Sequence, residues 1–133
     1  MKRFALCVLA PIGLMSCTSA SAASYDSSNP VHCLSIFSAT SGTTRTGPLA
    51  DELNARIVYI VRSNGGADWL RGITPTAQEL GMSWEARSRA SQDGEEVMKL
   101  FDECRSRQDS DPSFRAALPI LLREGREISA GAR

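Results

Sequence analysis

Between Pro48 and Ser63 the apolar positions fall at Leu49, Leu53, Ile57, Ile60 and Val61, steps of three and four that place them on one side of an α-helix. Pro48 suits the first helical position, where the missing N–H has no intrahelical acceptor in any case. Asn64-Gly65 then supplies residues that accept the left-handed backbone of a helix end. The stretch therefore predicts a central helix with its neighbours packed on the stripe. Three further segments carry a helical apolar face. Residues 30–40, ending at Ser41-Gly42, turn Cys33, Leu34 and Phe37 to one side. Residues 94–107 do the same with Val97, Leu100, Phe101 and Cys104, and residues 112–124 with Phe114, Leu118, Leu121 and Leu122.

The punctuation between these segments repeats. Asn29-Pro30, Gly47-Pro48, Thr74-Pro75 and Asp111-Pro112 each put a boundary residue before a proline whose φ is preset for a first turn. Asp93 followed three residues later by Glu96 is a capping-box-like start. The pattern is poorer elsewhere. Residues 65–73 read as irregular, with Asp68 capping a single turn, and Gly81 interrupts the helix that Pro75 opens. Pro119 is expected to kink or split the last helix, and Gly125 to end it. There is no strand-like alternation of any length and no internal repeat. The expected fold is all-α, a bundle of four or five helices over residues 30–125, with a flexible linker at 23–29 and a disordered tail at 126–133.

The first 22 residues change the picture. Met1-Lys2-Arg3, an apolar run over residues 4–15 and Ala20-Ser21-Ala22 have the charge, length and small-residue site of a secretory signal peptide cleaved after Ala22. Leu14-Met15-Ser16-Cys17 also resembles a bacterial lipoprotein processing box, in which Cys17 would be lipidated. Either route leads to a bacterial envelope or its exterior, with no transmembrane span in the mature chain. The leader takes two of the 15 basic side chains and no acid, leaving 13 basic against 15 acidic groups. That balance gives no footprint for nucleic acid and no polybasic membrane patch.

Of the four cysteines, Cys7 leaves with the leader and Cys17 is removed or lipidated. Cys33 and Cys104 remain, an even count in an oxidising compartment, each on the apolar face of its helix. They are expected to form a structural disulfide. No Cys-x-x-Cys motif suggests a redox-active pair, and two Cys with one His at no zinc spacing give no metal site. No cofactor is implied.

The order of Cys33-Leu34 near the mature start, Ile57-Val58-Tyr59-Ile60-Val61-Arg62 in the middle and a capped helix ending in Cys104 resembles a family of small secreted bacterial proteins of unknown function. The resemblance covers roughly residues 31–107. Family members close the aromatic-aliphatic helix with Gly-Arg, where this chain has Val61-Arg62. The resemblance implies an all-α, envelope-located domain with the same cysteine pair, and it implies no activity.

Residues that could carry chemistry are few. His32 adjoins Cys33, but neighbours on a helix diverge by about 100°, too far for a nucleophile and its base. Asp51-Glu52, Glu95-Glu96 and Asp102-Glu103 fall on polar helix faces, where a carboxylate is solvated. There is no Gly-x-Ser-x-Gly elbow and no phosphate loop. Trp69 with Arg62, Arg71 and Trp84 has the aromatic-plus-arginine make-up of an interaction hot spot. The reading is a non-enzymatic periplasmic or envelope binding module using residues 64–84, for a protein or small-molecule partner. A periplasmic acid or stress chaperone and an interbacterial inhibitor or immunity protein are the alternatives.

Overall fold

A computed structural model describes residues 25–89 and 94–131. Five α-helices account for nearly all of them: α1 (Pro30–Thr43), α2 (Pro48–Ser63), α3 (Gly66–Arg89), α4 (Gly94–Ser110) and α5 (Pro112–Gly131). No strand occurs among the described residues, and Cys33 is bonded to Cys104. The expected all-α bundle and its single bridge are both present. The signal peptide, its cleavage at Ala22 and the lipidation site Cys17 lie outside the described residues, as does the capping residue Asp93. Among the described residues no helix is long and apolar enough to cross a membrane.

The helix starts follow their local chemistry. Asn29 Oδ1 accepts from the Val31 N–H at 2.9 Å, and Asp111 Oδ1 accepts from the Ser113 N–H at 2.9 Å, each just before a proline at the first helical position. At the far end of α2, Asn64 Nδ2 donates to the Ile60 carbonyl, and Gly65 and Gly66 turn the chain with φ of 120° and 70°. Helix α2 is central, packing against α1, α3 and α5. One of its sides brings Leu53 and Ile60 into a cluster with Cys33, Leu34, Ile36, Phe37, Trp84, Val97, Leu100 and Cys104. Its other side brings Ala55 to Phe114 and Leu121 of α5, in a second cluster that shares no residue with the first. Leu49, expected on the stripe, is 42% exposed.

Several boundaries differ from the sequence reading. Residues 65–73 are not irregular: Gly66 begins a helix that runs unbroken past Pro75 and Gly81 to Arg89. Pro75 is exposed, so the carbonyl its ring cannot pair is open to water. Gly125 does not end α5. It is the point at which α5 crosses α2 so closely that a Cβ there would sit 2.3 Å from the Asp51 carbonyl oxygen. The tail expected to be disordered continues as helix to Gly131 and buries Ser129. The N-terminal linker is also structured from Tyr25. That ring lies 4.1 Å from Trp84, and Asp26 Oδ1 accepts from the Ser28 N–H and hydroxyl.

Candidate functional site

The four residues expected to form a contact surface do not come together. Trp84 is 1% exposed and belongs to the core, tilted against Tyr25 and meeting His32 edge-on. That corrects the expectation that it lies on an interaction surface. Trp69 is half-buried and packs against the first cluster at the start of α3. Fifteen helical residues separate the two indoles, about 22 Å along the axis. Arg71 is exposed and pairs with Asp68 one turn earlier. Arg62 reaches instead to α5, its Nη1 2.9 Å from Glu124 Oε2.

Residues 64–84 do contribute to a different feature. Helices α1 and α3 leave between them a groove of about 540 Å³ with Ile57 of α2 in its lining. Leu34 and Ala39 come from α1, and Leu70, Ala77 and Met82 from α3. The Thr74 hydroxyl donates back to the Leu70 carbonyl at 2.6 Å, and the Ser35 hydroxyl to the Val31 carbonyl at 2.6 Å. Both hydroxyls are thereby committed to their own helices; the other polar side chains of the lining are Ser38, Gln78 and the Glu85 carboxylate. Gly81 brings the two helices close, since a Cβ there would stand 4.0 Å from the Ser35 carbonyl oxygen. Met82, on the rim, is 66% exposed.

The polar centre of the molecule lies where α2 meets α4 and α5, and no sequence reading anticipated it. Arg56 is 4% exposed, yet each donor group of its guanidinium is engaged. Nε and Nη2 donate to Glu52 Oε1 at 3.0 and 2.8 Å, and Nη2 also donates to Asp109 Oδ1 at 2.8 Å. Nη1 donates to Gln108 Oε1 at 3.1 Å and to the Arg105 carbonyl at 3.4 Å. Gln108 Nε2 returns a bond to the Arg56 carbonyl, Arg105 donates to both oxygens of Glu52, and the Phe114 ring lies 5.1 Å from the Arg56 guanidinium carbon. With its donors committed in this way, Arg56 has none left for a ligand, and its role is to join α2, α4 and α5. The available signal was its place on the apolar face, three residues after Leu53 and four before Ile60.

Beside it, the Tyr59 hydroxyl donates to Asp111 Oδ2. That bond raises the Tyr59 phenol above its ordinary 10.0, with burial adding to the effect. The same bond, with the Ser113 N–H, holds the Asp111 carboxyl below its ordinary 3.8. Asp26 is also lowered, chiefly by the Ser28 hydroxyl and N–H. His32 Nδ1 accepts from the Asp26 N–H at 3.1 Å, which ties the ring to the segment before α1. Among the described residues no group of three or more His, Cys, Asp or Glu side chains converges to hold a metal ion. Comparisons with protein families, characterised proteins and solved structures return no match to this chain.

Proposed function

We propose that the protein is a non-enzymatic binding module of the bacterial envelope, with the α1–α3 groove as its contact site. One observation carries this reading: about 540 Å³ of mostly apolar groove with the exposed Met82 on its rim, within the 300–1,000 Å³ usual for ligand sites. The envelope location rests on the leader and on the cysteine pair, which needs an oxidising compartment to form. The resemblance to small secreted helical proteins agrees with it. The chaperone alternative rests on size, compartment and the single bridge, and neither it nor the inhibitor alternative accounts for a groove.

The groove moves the test away from Trp69, whose half-buried ring packs on the core. Ala77→Trp fills the groove from α3 at a half-buried position on the edge of the first cluster, so the fold of the variant is checked alongside its binding. Titration with the apolar dye 1-anilinonaphthalene-8-sulfonate at neutral pH is expected to give saturable binding to the folded wild type and at least tenfold weaker binding to Ala77→Trp. Equal affinities, with both proteins folded by near-UV circular dichroism, would remove the groove as the site.

A further inference from the structure

The two apolar clusters are held by different means. The first joins α1, α2, α3 and α4 and contains both cysteines, so the Cys33–Cys104 bridge closes the chain around it. Helix α5 begins at Pro112, beyond that loop, and meets the rest through the second cluster. It is anchored by the Tyr59–Asp111 bond at its start, the Phe114 ring over Arg56, the Arg62–Glu124 ion pair, and an Asn54–Ser129 hydrogen bond of 3.0 Å.

The charged groups at this seam come from every element that meets there. Helix α2 supplies Glu52, Arg56, Tyr59 and Arg62, and α4 supplies Arg105 and Asp109. Asp111 stands at the α4–α5 junction, and α5 supplies Arg115, whose charge acts on Asp111, and Glu124. The carboxylates can lose their charge in acid, but the guanidiniums cannot lose theirs. Once Glu52 and Asp109 are neutral, Arg56 is an unpaired charge at 4% exposure that must reach water. Phe114, fully buried over the guanidinium, lies on α5, so one route to solvation is for α5 to lift.

We propose that α5 is an acid-released arm: protonation of the carboxylates around Arg56 undocks it from α2 while the disulfide-closed α1–α4 core stays folded. Release would uncover the second apolar cluster, a surface buried at neutral pH. The test is amide hydrogen exchange on the chain with its disulfide intact, at pH 7 and pH 3, corrected for intrinsic exchange. Amides in α5 should lose protection at least a hundredfold at pH 3, while those around Cys33 and Cys104 change less than tenfold. Unchanged protection in α5, or loss of α1 and α4 together with it, would overturn the proposal. Arg56→Met should keep α5 docked at pH 3, and release in that variant would equally overturn it. Should Arg56→Met not fold, Glu52→Gln combined with Asp109→Asn should release α5 at pH 7, and full protection there counts against the device.

Discussion

At the scale of single residues, the seams that α2 makes with α4 and α5 are governed by how buried charge and hydrogen bonds are paired. Glu52 Oε1 accepts from both Arg56 and Arg105, so Glu52→Leu strands a buried guanidinium and should cost about 3–5 kcal/mol in denaturant unfolding. Arg56→Met removes the charge and keeps much of the volume, and should cost less. A larger loss for Arg56→Met than for Glu52→Leu would contradict this account of the network. Tyr59→Phe probes the neighbouring bond through pH. Asp111 is lowered in the folded state, so its contribution is present above 3.8 and lost as pH falls through its folded value. Tyr59 is raised, so its contribution is present below 10.0 and lost as pH rises through its folded value. The stability gap between wild type and Tyr59→Phe should therefore be widest between about pH 5 and 9 and close on both sides. A gap independent of pH would show that the bond contributes nothing. Neither Arg56 nor Tyr59 stood out in the sequence, because their partners on α4 and at its junction lie 49 to 53 positions away.

At the scale of elements, the ends of α1, α2 and α5 that carry their own caps were legible, and the helix interiors holding glycine or proline were not. Gly81 and Gly125 read locally as stops. In the fold they are places where another backbone comes near, 4.0 Å away from a Cβ at 81 and 2.3 Å from one at 125. Only the tertiary crossing distinguishes that use from a cap. A matched pair of substitutions separates the two effects. Gly72 lies in α3 with nothing within 4 Å of an added Cβ, so Gly72→Ala should gain about 0.5–1 kcal/mol of helix preference. Gly125→Ala gains the same preference but drives a methyl into the Asp51 carbonyl, which is backbone and cannot swing aside. Overpacking of that kind costs about 1–3 kcal/mol or more, so the clash wins. Chemical denaturation should move the two midpoints in opposite directions. The groove was illegible for a related reason: it needs the unbroken α3 laid along α1, and Pro75 hid that continuity.

For the whole molecule, the cysteine pair was the most legible long-range contact, because compartment and count constrain partners where periodicity cannot. The bridge spans 71 positions, and both of its cysteines are buried in the first cluster. In the chain-entropy account, closing a loop of that length stabilises the fold by about 4 kcal/mol. Stability of a chain this small is on the order of 5–15 kcal/mol, so the bridge is a sizeable part of it. The cost of its loss should fall on the α1–α4 cluster, because α5 is outside the loop and already depends on that cluster for the α2 surface it covers. Reduction under native conditions, or Cys33→Ala with Cys104→Ala, should lower the thermal midpoint by roughly 15–30 °C at 4–8 °C per kcal/mol. Far-UV and near-UV signals should fall together, since α5 has nothing to dock on once the core opens. A shift below about 5 °C would mean that packing of Phe37, Trp84 and Leu100 holds the four helices without the cross-link.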